Sequence, residues 1–167
     1  MKTSAVIAAV LVASPAFADH GHSEKVRTHL IGYQEVPSVS TVATGTLELS
    51  IAANAQSIDY SLSYSGLQGQ VRQAHIHFAQ RSVNGPIIVW LCGTPTNPGP
   101  TGTQTCPQSG SVHGTIASVD VLASPASQQL AAGDILDLVA AIRAGAAYSN
   151  VHTDISAGGE IRGQIGR

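Results

Sequence analysis

Charge is scarce in this sequence. Asp, Glu, Lys and Arg make up 11% of its 167 residues, the formal net charge is -2, and no basic run occurs in it. A nucleic-acid partner is therefore not expected, because neutralising a phosphate backbone takes clustered Lys and Arg. Beyond the first residues there is no apolar stretch long enough for a membrane helix. Cysteine is scarcer still, at two residues. Cys92 and Cys106 lack the tight Cys-x-x-Cys spacing of structural zinc sites, and no Cys follows Ala18 to accept a lipid. The common catalytic signatures are missing as well: no Gly-x-Ser-x-Gly elbow, no His-Glu-x-x-His helix, and no phosphate-cradling glycine loop closed by Lys. No fixed-period repeat and no second domain are visible.

What is present begins with an export pattern. Lys2 precedes a short apolar run from Ala5 to Ala13, and small residues stand at Ala16 and Ala18. We read residues 1–18 as a signal peptide cut between Ala18 and Asp19, which places the mature protein in the periplasm or outside the cell. Residues 19–28, with His20 and His22, read as a polar, flexible tail, and 29–167 as one domain. In an oxidising compartment Cys92 and Cys106 read as a disulfide across a loop rich in Pro, Gly and Thr. Two thiolate ligands for a metal are the alternative.

The body of the chain is dominated by alternation. Leu47, Leu49 and Ile51 alternate with polar residues, as do Ile58, Tyr60, Leu62 and Tyr64, with a turn at Ala53–Gln56 between them. This is the period of half-buried strands joined as a hairpin. Further strands are expected over 26–33, around His75, over 87–92, within 111–121, and over 147–153 and 160–165. One helix is expected over 134–144: Asp134 can cap it, Ile135, Leu138, Val139 and Ile142 share a face, and Gly145 stands where the helix would stop. Short strands, Gly-rich turns and a single helix make this an all-β protein, an antiparallel β-sandwich or Greek-key barrel.

The chemistry-bearing stretch is Gln73-Ala74-His75-Ile76-His77-Phe78. In a strand, His75 and His77 project from one face while Ala74, Ile76 and Phe78 project from the other. The apolar face belongs to the core, so the imidazoles are expected on the face away from it, near enough to turn toward one ion. A third imidazole stands in Asn150-Val151-His152-Thr153-Asp154, and His113 is a further, weaker candidate donor, as are the acids Asp154 and Glu160. Imidazole nitrogen suits copper and zinc. Glu160 and Arg162 read as a structural pair or, with Asn150, as groups that orient a ligand.

Several of these segments recur together in a known module. Gly32-Tyr33-Gln34-Glu35-Val36-Pro37, Ala74-His75-Ile76-His77 followed by Asn84-Gly85-Pro86-Ile87, then Tyr148-Ser149-Asn150-Val151-His152-Thr153 and Gly158-Gly159-Glu160-Ile161-Arg162-Gly163-Gln164 closely resemble the CHRD domain, which is named after chordin and also occurs alone in exported bacterial proteins. The resemblance covers about 29–164 and implies an immunoglobulin-like or superoxide-dismutase-like β-fold. The His75-x-His77 strand is also similar to the copper-binding strand of Cu/Zn superoxide dismutases, although the bridging histidine and zinc loop of those enzymes have no counterpart here. Three functions follow as expectations: an exported binder of copper, or alternatively zinc, through His75, His77 and His152; a structural or protein-interaction module without metal, able to take a protein partner or self-associate; and a dismutase-like redox enzyme. No residue is assigned a catalytic role.

Overall fold

The computed structural model describes residues 21–166. The expected signal peptide, its cut site and His20 lie outside them. Eight strands and one helix follow in order: β1 Glu24–Ile31, β2 Thr44–Ile51, β3 Ile58–Ser65, β4 Val71–Phe78, β5 Ile87–Cys92, β6 Gly110–Ile116, α1 Ile135–Arg143, β7 Ala147–Thr153 and β8 Ile161–Ile165. All the strand pairings are antiparallel, and the strands form one sheet in the order β5-β4-β7-β8-β1-β2-β3-β6. The sheet curls until its end strands approach each other, so the expected all-β architecture takes the form of a nearly closed barrel. At the seam the Tyr60 hydroxyl donates to the Leu91 carbonyl at 3.0 Å and the Leu122 amide donates to the Ile88 carbonyl at 2.8 Å.

The barrel interior is filled from both sides of the hairpin predicted by alternation. Leu47, Leu49, Ile51, Ile58 and Leu62 are all buried, and β2 pairs with β3 in register from Thr44↔Ser65 to Ile51↔Ile58. Each such side chain contributes roughly 1.5–3 kcal/mol through removal from water. The helix begins where Asp134 accepts a hydrogen bond from the Asp137 amide, and buries Ile135, Leu138, Val139 and Ile142. It ends as a Schellman turn. Gly145 adopts φ +67°, its amide donates to Ile142, and the Ala146 amide donates to Ala141.

Two boundaries differ from expectation. Strand β1 starts at Glu24 and pairs with β2 from Glu24↔Ile51 onward, so Glu24–Thr28 belong to the ladder and not to a tail. Backbone pairing carries the strand beyond its last buried side chain, which is why hydropathy does not mark its start. Strand β6 stops at Ile116, and Ser118–Asp120 form a 3-10 turn where a longer strand was expected. Cys92 and Cys106 form a disulfide, which removes the thiolate alternative. Closing a loop of this size stabilises the fold by about 3 kcal/mol in the chain-entropy model.

Candidate metal centre

Strand pairing brings the candidate residues together. In the β4–β7 ladder His75 lies opposite Asn150, His77 opposite Tyr148 and Gln73 opposite His152. In the β7–β8 ladder Asn150 lies opposite Arg162 and Tyr148 opposite Gln164, while on the other side β5 sets Trp90 opposite His75. Directly opposed residues share a face, so these side chains form one patch on the outer wall of the barrel.

That wall is not open. His75 is fully buried, His77 and His152 are 6% exposed, and Arg162 and Asn150 are 1% exposed. The expectation that the imidazoles stand away from the hydrophobic core holds for the parity of His75 and His77, but the face they occupy is covered. The cover comes from connections between strands. The Gly85 carbonyl, between β4 and β5, accepts from His77 Nδ1 at 2.9 Å; the Ala157 carbonyl, between β7 and β8, accepts from His152 Nδ1 at 2.9 Å. Glu35, between β1 and β2, is buried against Gly159 and the Asn150 amide.

These contacts fix the ring chemistry. A carbonyl only accepts, so His77 and His152 donate from Nδ1; His77 then presents a bare Nε2 lone pair, while His152 Nε2 faces the side-chain amide of Asn150. Burial drives the His75 pKa from 6.5 to about 2, reinforced by His152 and His77 beside it. Burial also lowers His77 to about 4 and lowers His152. All three rings are thus neutral, the form that ligates metals. One ring nitrogen from each lies within 4.8 Å of the others. An ion held at about 2.0–2.1 Å by tetrahedrally disposed nitrogens sets them roughly 3.4 Å apart. His75 Nδ1 and His152 Nε2, at 3.3 Å, already have that spacing. The Nε2 atoms of His75 and His77 are buried and have no hydrogen-bond partner. An unpaired buried nitrogen is costly; a cation would satisfy that of His77, while a His75 ring ligating through Nδ1 would keep its own proton on Nε2. The donor set therefore fits a transition metal ion.

Aromatic and cationic groups wall the cluster. The His75 ring meets Trp90 edge-on at 4.2 Å between centroids. His77 stacks on Tyr148 at 4.6 Å with 3° between the planes, and the Arg162 guanidinium lies 3.4 Å from the centre of the Tyr148 ring. Arg162, Tyr148 and His77 thus form a column. Arg162 is held there by donating to Asn84 Oδ1 at 3.1 Å and to the Val83 carbonyl at 2.8 Å. Asn150 Oδ1 lies 2.9 Å from His152 Nε2.

Other expected participants stand elsewhere. His113 is exposed on β6, paired opposite Ser61, outside the histidine group, and His29 is exposed on β1. Glu160 and Arg162 form no ion pair among the described residues. Glu160 instead accepts from Thr41, Gln68, Gly69 and Thr153. Burial alone would raise its pKa, but these hydrogen bonds outweigh burial and leave it lowered. Asp154 accepts from the Gln70 amide at 2.7 Å and faces Arg72 at 3.9 Å. Sequence reasoning missed Trp90, Tyr148 and Glu35. Tyr148 shares strand parity with Asn150 and His152, a signal that was available. Glu35, whose pKa burial raises to about 7 against the opposing charge of Arg162, sits in an irregular loop where only the motif Gly32–Pro37 marks it and no periodicity does.

A small antiparallel β-barrel with a buried three-imidazole cluster on its outer wall is the class this geometry defines. The family model of the CHRD domain matches residues 26–165, and the chain belongs to that family. Searches of the curated proteins and of the solved structures returned no match.

Proposed function

We propose that this protein is an exported metal-binding CHRD domain, holding copper, with zinc as the alternative, through His75, His77 and His152. The observation that carries the reading is the convergence of three neutral, buried imidazoles, two of them with unpartnered Nε2 atoms. A bound ion would satisfy the His77 lone pair, and the carbonyls of Gly85 and Ala157 would hold the Nδ1 protons of His77 and His152. The sequence pattern of residues 1–18 and the disulfide support an oxidising compartment for the mature chain. The role is storage, buffering or delivery of the ion. Arg162 is committed to its column and to carbonyl partners, so it is poorly placed to guide an anion to a redox centre.

Titration of the metal-free protein with Cu(I), Cu(II) and Zn(II) tests this, alongside a His75→Ala/His77→Ala variant. We expect one ion per chain and a loss of affinity of at least about 100-fold in the variant. Equal binding by the variant would refute the assignment.

A second reading has its own observation. The His77–Gly85 and His152–Ala157 hydrogen bonds tie two connections to the barrel wall with no ion involved, as a structural or partner-binding module would need. Thermal melting separates the two. Metal bound to the folded state alone stabilises by about 2.7 kcal/mol at a hundred times its dissociation constant, whereas the metal-free reading gives the same melting temperature with and without chelator.

A further inference from the structure

We infer that the centre is built for a singly charged ion, cuprous copper, and disfavours divalent zinc and cupric copper; this rests on the metal-binding reading above. The argument is one of charge and space. The group that converges on one point is three histidines, with no carboxylate among them. The further donor beside them, Asn150 Oδ1, is a neutral amide. The charged group stacked beside the cluster is positive: Arg162 lies against Tyr148, which in turn stacks on His77. Glu35, the acid on this side, faces Asn150 and Arg162 and is not in the histidine group.

Such a shell leaves the whole charge of the ion uncompensated. The cost of moving an ion out of water grows with the square of its charge, so a divalent ion pays about four times what a monovalent one does. Divalent zinc held by three histidines normally completes its shell with a water or hydroxide in an open position. Here a cavity of about 390 Å³ has Trp90 in its lining and one of about 340 Å³ has Glu35 and Arg162, and neither is lined by His75, His77 or His152. Trp90 packs against His75 on one side and the Tyr148–Arg162 column against His77 on the other. Cuprous ion is content with three neutral nitrogens and needs no anion, so it alone among these ions matches both the charge and the closure.

The test is a competition series on the mature protein. Cu(I) is delivered anaerobically against bicinchoninate, and Zn(II) and Cu(II) against chelators of known affinity, with Asn150→Asp as a second protein. We expect Cu(I) to be bound at least about 100-fold more tightly than Zn(II), and Asn150→Asp, which adds a negative charge beside His152, to narrow that ratio by about tenfold. Comparable affinity for Zn(II) or Cu(II) in the wild type would overturn the inference and leave the metal site standing. Retention of all ions by the His75→Ala/His77→Ala variant would overturn the site itself. An unchanged ratio in a folded Asn150→Asp protein, checked by circular dichroism, would show that charge is not the discriminating quantity.

Discussion

Strands β2 and β7 belong to the same barrel and bury themselves differently. Along β2, Gly45, Leu47, Leu49 and Ile51 are buried while Thr44 and Glu48 are exposed, and the exposed Glu48 meets the equally exposed Arg27 at 3.5 Å. Along β7 all seven residues from Ala147 to Thr153 are buried, and β8 follows suit. The inner face of β2 is apolar, and that of β7 carries Ala147 and Val151 with the buried hydroxyls of Ser149 and Thr153. The difference lies outside, where β2 meets water and β7 meets connections that carry Glu35, Gly85 and Ala157. A barrel wall covered in this way can bury histidine, arginine and asparagine without placing them in its hydrophobic interior. Polar groups there are held by backbone carbonyls and by one another, and this is the environment in which a neutral imidazole cluster persists.

The largest effect that would sharpen this contrast is expected from Arg162→Ala. It leaves Asn84 and the Val83 carbonyl without their donor and removes the cation from Tyr148. We expect a loss of about 3–5 kcal/mol by urea unfolding, against less than about 0.5 kcal/mol for Arg27→Ala on the open half. Similar losses for the two would erase the distinction.

Acid acts on the covered half through groups shifted in opposite directions. His75, His77 and His152 are held below 6.5 in the folded protein, so the unfolded chain takes up more protons as pH falls through that value. Their contribution is intact near pH 7 and is lost as pH falls, down to about 4 for His77 and about 2 for His75. Glu35, raised to about 7, does the reverse: the folded chain binds the extra proton between pH 4.5 and 7, so its contribution fades as pH rises through 7. Three groups oppose one. We expect a net loss on the order of 2–4 kcal/mol for the metal-free protein between pH 7 and 5, read from denaturation midpoints in the presence of chelator. Constant stability across that window would mean that the cluster is not dry.

A smaller effect should follow from Gly159→Ala. Gly159 has φ +125°, and an added Cβ would collide with Glu35 Oε1 and crowd the Asn150 amide. We expect about 2 kcal/mol of destabilisation and weaker metal binding in the same variant. The smallest effect is expected from His113→Ala on exposed β6: no change in metal affinity and less than about 0.5 kcal/mol in stability.

The open half of the barrel was legible in the sequence because its two faces differ. Leu47 to Ile51 and Ile58 to Tyr64 alternate against water, and the helix announced itself through Asp134, its apolar stripe and Gly145. The covered half was legible only as strands. Nothing in Ala147 to Thr153 says that the outer face is sealed, since the sealing residues lie in three separate connections and two of the groups that hold the histidines are backbone carbonyls, which any residue supplies. The convergence of His152 with His75 and His77 depends on β4 pairing with β7, strands about seventy residues apart in sequence. Composition could nominate these imidazoles. Motif context, not composition, ranked them above His113, which has the same chemistry and lies in a different part of the sheet.

Glu160 gives this cover a common fastening. Its carboxylate accepts from Thr41 after β1, from Gln68 and Gly69 after β3, and from Thr153 at the end of β7. One side chain at the head of β8 therefore buckles segments that are distant along the chain, and a disturbance at that single point is felt in all of them together.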